Sequence, residues 1–135
     1  MASISNEIMV ESSAEAVWEV IGDFSTGPSR MAPGFVVDTR VEDGCRVVTF
    51  ADGTVVRERC VTVDHEARRI VYAVIGGTVR PDHDNASMQV FADGERRCRL
   101  VWARDVLPDD LAAPMAEAMS RGLEVIKRTL DEPRR

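Results

Sequence analysis

Glu58, Tyr72, the adjacent His83-Asp84 and Arg104 are the side chains of this chain best suited to chemistry. Glu58 and Arg104 stand out by their phase. On a predicted strand at 54–64, Arg57 and Arg59 share one face, while Val56, Glu58, Cys60 and Thr62 share the other. On a strand at 96–106, Arg97, Arg99, Val101 and Ala103 oppose Cys98, Leu100, Trp102 and Arg104. With the paired arginines toward solvent, Glu58 and Arg104 point inward. An inward charge is costly alone, so the two either pair with each other or hold a polar group of a ligand. A hydrated place at the sheet rim is the plainer alternative. His83 can donate to a ligand carbonyl or act as a base near neutral pH. Neighbours on an extended chain point oppositely, so Asp84 need not orient it, and a solvated loop histidine is the simpler reading. Tyr72, the single tyrosine, reads as core with its hydroxyl at the rim. Trp18 and Trp102 read as core. Met31, Met88, Met115 and Met119 either line an adaptable cavity or fill gaps between helix and sheet. His65 falls in a turn and takes no role.

The elements that position these residues follow from turn chemistry and periodicity. Asp43-Gly44, Asp52-Gly53 and Asp93-Gly94 each sit between alternating apolar and polar runs. Asp-Gly suits the type I′ hairpin turn, in which both central residues take positive φ. Strands are predicted at 3–10, 35–41, 45–51, 54–64, 69–75, 86–92 and 96–106, with a wide turn at 64–68 and Gly76-Gly77 ending the fifth. Ser12 or Ser13 starts a short helix at 14–24 carrying Val17, Trp18, Ile21 and Phe24 at helical spacing. Residues 25–34 read as loop with room for one helical turn. Pro108 breaks the last strand, and Asp109 or Asp110 is placed to cap a final helix. There Leu111, Met115, Met119, Leu123, Ile126 and Leu130 form one apolar stripe. Pro114 suits its first turn. Gly122 costs the helix roughly 1 kcal/mol relative to alanine and leaves space for a close sheet crossing or a ligand. The order predicts an α+β domain over 1–135: a curved antiparallel sheet wrapped on a long helix, enclosing a cavity.

Composition excludes several functions. The 135 residues carry a formal net charge of −6, against the basic patch of a nucleic-acid binder. The basic pairs Arg68-Arg69, Arg96-Arg97 and Arg134-Arg135 read as solvated charge at turns and terminus. No signal peptide or membrane-spanning stretch is visible, which predicts a cytoplasmic protein without membrane insertion. Cys45, Cys60 and Cys98 are odd in number, sit in strands and lack metal-ligand spacing, so free thiols are expected. No phosphate loop, dinucleotide-binding glycine motif, nucleophile elbow or metalloprotease motif occurs, and neither metal nor cofactor is expected.

The residues agree with one family in detail. Ala16-Val17-Trp18-Glu19-Val20-Ile21-Gly22-Asp23-Phe24 resembles the "VW…GDF" helix of the polyketide cyclase/dehydrase family, within the START-like, Bet v 1-like (SRPBCC) group. Ala32-Pro33-Gly34, Arg57-Glu58-Arg59, the stretch from Asp64 to Tyr72, Leu100-Val101-Trp102 and Gly122-Leu123 extend the resemblance over nearly the whole chain. It implies a helix-grip fold: seven curved strands around the C-terminal helix, with a short helix after the first strand. It also places Tyr72 on a pocket strand, where a phenol can bind or protonate a ligand oxygen, and His83 before an inward-facing strand. Where the family commonly has a Trp and a His before Pro33, this chain has Arg30-Met31-Ala32, implying a softer entrance.

The leading expectation is therefore binding of a small hydrophobic or amphipathic molecule between sheet and helix, contacted by Glu58, Tyr72, His83, Trp102, Arg104, Met31, Met88, Met115 and Met119. The second is an enzyme of the cyclase, aromatase or dehydrase kind, with Tyr72, His83 or Glu58 moving protons. The third is a protein-interaction module, with a homodimer through a sheet edge as one form.

Overall fold

A computed structural model describes residues 1–131, so Arg134-Arg135 lie outside the described residues. The strands are β1 (Ala2–Val10), β2 (Val36–Glu42), β3 (Cys45–Phe50), β4 (Val55–Asp64), β5 (Arg69–Gly77), β6 (His83–Ala92) and β7 (Cys98–Leu107). The helices are α1 (Ala14–Ile21), α2 (Gly27–Met31) and α3 (Ala112–Leu130). All strand pairs are antiparallel, in the order β1-β7-β6-β5-β4-β3-β2. This is the α+β helix-grip arrangement expected from the sequence.

Local chemistry explains the elements. Ser13 caps α1, its Oγ accepting from the Ala16 N–H at 3.1 Å. Asp43 and Gly44 both take positive φ, as a type I′ turn demands. At the other two Asp-Gly pairs only the glycine does. Four and five residues separate the strands there, so the turns are of longer types. Gly77, placed just past the predicted fifth strand, is its last residue. Its φ is 106°, and a Cβ there would strike the Val55 carbonyl, so only glycine fits. Asp109 and Asp110 make no capping hydrogen bond. They form a single 3₁₀ turn, Asp109–Leu111, ahead of α3, where their charge still favours the helix N-terminus. Pro114 is the third residue of α3, inside its first turn.

The core lies between the concave face of the sheet and the helices. Met119, Gly122, Leu123 and Ile126 are the buried residues of α3. Leu123 and Ile126 meet Val10, Ile70, Val90 and Leu100 of the sheet and Val17, Trp18 and Ile21 of α1 in one cluster. The C-terminal end of α3 covers the edge of β1. Lys127 Nζ donates to the Met9 carbonyl at 2.7 Å, and the Glu11 N–H donates to Asp131 Oδ1 at 2.7 Å. The sheet is irregular in several places: the β2–β3 register shifts between Val36 and Asp38, and the β4–β5 register between Arg57 and Glu58. A second β4–β5 shift falls between Cys60 and Thr62, so Thr62 is exposed and Val63 packs on the core, reversing the alternation predicted there. The β5–β6 ladder has only four residue pairs, from Arg69↔Gln89 to Tyr72↔Ala86. All three cysteines are free. Cys98 is enclosed, and burial pushes its thiol up to about 11.

Candidate functional site

A band of charge crosses the concave face at mid-sheet. Arg46 on β3 lies directly across from Glu58 on β4, and the two form a buried ion pair at 2.6 Å. Arg46 also donates to the Phe24 carbonyl at 3.1 Å. On the far side, Arg104 Nε of β7 lies 2.8 Å from Asp84 Oδ1 of β6, again buried. The other oxygen of Asp84 accepts from the Val74 N–H at 2.8 Å, on β5 just beyond the short β5–β6 ladder. A carboxylate thus stands in for a missing backbone rung. Ala86, in register with both Tyr72 and Arg104, is small enough to leave the two large side chains room. Glu58 and Arg104 therefore do point inward, as their phase predicts, but not to each other: each has its own partner. The rim alternative fails for both, with exposures of 6% and 8%.

Tyr72 stands between these pairs. The guanidinium carbons of Arg46 and Arg104 lie 4.8 and 5.8 Å from its ring centre. Its hydroxyl accepts from Trp102 Nε1 at 2.9 Å, and no group among the described residues accepts its own proton. Burial pushes the phenol up to about 12 from 10.0, with Glu58 adding to the rise while Arg104, Arg46 and the Trp102 bond oppose it. Tyr72 is thus a neutral donor at physiological pH. Burial works most strongly against the Arg104 cation. Tyr72, Asp84 and Glu58 outweigh it and hold the guanidinium's pKa above its ordinary value.

Because the chain has one tyrosine, its titration can be read directly. A spectrophotometric titration of the folded protein is expected to show a midpoint near 12. The unfolded phenol titrates near 10. Its contribution to stability is therefore whole below pH 10 and lost as pH rises through 12. A midpoint at 10 in folded protein would contradict the enclosed environment.

Above this floor is a cavity of about 270 Å³, bordered by α3. Its walls include Phe35, Phe50, Val56, Val74, Trp102, Met115 and Met119, with Glu58, Tyr72 and Arg104 as the inner polar groups and Asp52 and Arg121 also in the lining. The Thr54 backbone N–H, 2.9 Å from Asp52 Oδ1, is the main cause holding that carboxyl below its usual value, and Arg121 adds to it. A smaller cavity of about 50 Å³ lies beside it, lined by Met31, Met88, Arg46, Val48 and Gly122 among others. Phe35, Phe50, Glu58, Tyr72 and Trp102 line both. Gly122 serves close packing: a Cβ there would lie 3.3 Å from Phe35 and 3.4 Å from Trp102.

Eight of the nine residues singled out in the sequence line one cavity or the other. His83 lines neither. It is the exposed first residue of β6, expected instead in a loop at the pocket mouth. Strand alternation runs back through Ala86 to Asp84, turning Asp84 inward and His83 out. Met31, expected to soften an entrance loop, is buried on α2. His65 is not idle: Trp18 Nε1 donates to its Nδ1 at 3.2 Å, tying α1 to the β4–β5 turn. Sequence reasoning misses Arg46 altogether. The alternation that turns Val48 and Phe50 inward turns Arg46 inward too, which is its available signal. Among the described residues, no three His, Cys, Asp or Glu side chains gather to hold a metal ion. No helix among them is long and apolar enough to cross a membrane.

A curved antiparallel sheet gripping a C-terminal helix over an apolar cavity with a polar floor defines the helix-grip class of cavity proteins. Within it, the chain belongs to the family described as "Polyketide cyclase / dehydrase and lipid transport", whose sequence profile matches residues 1–132. No curated protein is significantly similar in sequence. Among solved structures, an uncharacterized protein from Bacillus thuringiensis is similar with a TM-score of 0.84 at 18% identity, over 96% of this chain and 98% of that one. The protein XoxI from Bacillus cereus gives 0.82 at 19%, over 96% of each chain. A truncated norcoclaurine synthase from Thalictrum flavum gives 0.72 at 20%, over 98% of this chain and 95% of that one. At these identities the likeness concerns the fold.

Proposed function

We propose that this chain binds a small, largely apolar molecule in the 270 Å³ cavity under α3. The observation that carries this reading is an apolar-walled cavity ending on a buried hydroxyl and a buried guanidinium with donors to spare. Apolar walls supply affinity, and a few fixed polar groups orient the ligand. An apolar cavity of about 150 Å³ takes up benzene, so this one suits a body of about one or two rings or a short chain. Native mass spectrometry of the purified protein is expected to show a co-purified small molecule. Otherwise, titration with small apolar compounds is expected to change Trp102 fluorescence, a signal that Trp102→Phe removes. A cavity that neither retains nor takes up any such compound would end this reading.

The family description favours a cyclase- or dehydrase-type enzyme as the second reading. Proton transfer near neutral pH works best with groups titrating near that pH. Tyr72 titrates far above it, Glu58 and Asp84 are held in ion pairs, and His83 lies outside the cavity. Tyr72→Phe separates the readings. Loss of one neutral hydrogen bond is expected to weaken an oxygen-bearing ligand by about 0.5–1.5 kcal/mol. A general acid would instead show intact binding and turnover slowed roughly 10²–10⁴-fold. An interaction module or edge-to-edge homodimer has less support. The exposed Val37 and Val41 of edge strand β2 are interleaved with Asp38, Arg40 and Glu42, charges of the kind that keep sheet edges apart.

A further inference from the structure

Arg104 is nine-tenths buried, and its one charge partner is Asp84, whose Oδ1 lies 2.8 Å from Nε without the alignment of a hydrogen bond. No group among the described residues accepts a hydrogen bond from its two terminal nitrogens, and the side chain lines the larger cavity. Beside it, the Tyr72 hydroxyl has already accepted the Trp102 bond, and its own proton has no acceptor among the described residues. Both groups line the inner part of an apolar cavity, and each nearby carboxylate already has a cationic partner: Glu58 has Arg46, through Oε1, and Asp84 has Arg104, its other oxygen accepting from the Val74 N–H.

We infer that the natural ligand of this cavity is an amphipathic monoanion, a carboxylic acid whose carboxylate takes the free edge of Arg104 and the Tyr72 proton while its apolar body lies under α3. The inference rests on the reading of the cavity as a ligand site and names the ligand class. A planar carboxylate matches the planar guanidinium, and the phenol supplies a further donor to the same oxygens. A phosphate dianion fits poorly. The four buried charges of the floor, Arg46, Arg104, Glu58 and Asp84, already sum to zero, so a ligand's negative charge is stabilised there only by the remaining donors of Arg104 and Tyr72, and a second charge costs more than the first.

The test is calorimetric titration of the full chain near neutral pH with matched pairs of carboxylic acids and their primary amides, straight-chain from about six to twelve carbons and aromatic with one or two rings, the size range set by the cavity. The amides keep shape and hydrogen-bonding oxygen but lack the charge. The best acids are expected to bind at least about tenfold more tightly than their amides, the worth of one charge-assisted hydrogen bond. Arg104→Met alone would strand Asp84, so the charge is removed in the pair Asp84→Asn/Arg104→Met, where the introduced amide oxygen can still accept from the Val74 N–H. That variant is expected to reduce the preference for acid to near unity, and Tyr72→Phe to lower it several-fold. Equal binding of acids and amides by the wild-type protein, or a preference that survives the double substitution, would overturn the inference and leave the cavity reading standing. Failure of both series to bind would overturn the cavity reading, and the inference with it. Should the double variant not fold, the wild-type comparison and Tyr72→Phe decide alone.

Discussion

Asp84→Ala is expected to lower the unfolding free energy by about 3–5 kcal/mol, the cost of leaving a buried charge without its partner. Here that charge is Arg104, 8% exposed. The substitution also removes the acceptor of the Val74 N–H, which adds about 1–3 kcal/mol if nothing replaces it. For a domain whose whole stability lies between about 5 and 15 kcal/mol, the variant stands at the edge of folding. Asp84→Asn keeps an acceptor for Val74 and is expected to lose less. Removing both charges in Asp84→Asn/Arg104→Met is expected to recover part of the remainder, because buried ion pairs contribute little net stability over apolar groups. Urea denaturation of the four proteins measures each step. A midpoint for Asp84→Ala within error of wild type would show that Arg104 finds water or another partner when Asp84 is gone.

Leu123→Ala is expected to cost about 2–5 kcal/mol. Leu123 is 3% exposed, lies mid-way along α3 and belongs to the central cluster rather than to either cavity lining. Its truncation opens new space among side chains that are already close-packed. Met119, on the same face, lines the larger cavity, so shortening it enlarges existing space, with a smaller stability loss and a larger change in ligand preference. Chemical denaturation combined with ligand titration distinguishes the two positions. An unchanged denaturation midpoint for Leu123→Ala would contradict its place in the core.

Period-two alternation and the α3 stripe are sufficient to foresee the fold and the inward turn of Glu58 and Arg104. What they do not supply is partner choice. Glu58 meets Arg46 because the β3–β4 hairpin brings the two into direct register, and an error of one residue in that register exchanges the faces. Arg104 meets Asp84 because β6 begins at His83, three residues earlier than the turn-like composition Arg80-Pro81-Asp82-His83-Asp84 suggests. Tertiary pairing overrides local composition there, and the same shift moves His83 out of the candidate site. The bulge that exposes Thr62 likewise leaves no mark in the residue types. Met31 shows a further gap: a five-residue helix in a Gly-, Pro- and Ser-rich stretch buries a side chain that composition assigns to a loop.

The four-pair ladder between β5 and β6 is the shortest in the sheet and joins β1-β7-β6 to β5-β4-β3-β2. Past Tyr72 the gap between β5 and β6 is crossed by the Asp84–Val74 contact in place of further rungs. The carboxylate that closes this gap is the one that holds Arg104, so the continuity of the container's wall and the charge on its floor depend on one side chain.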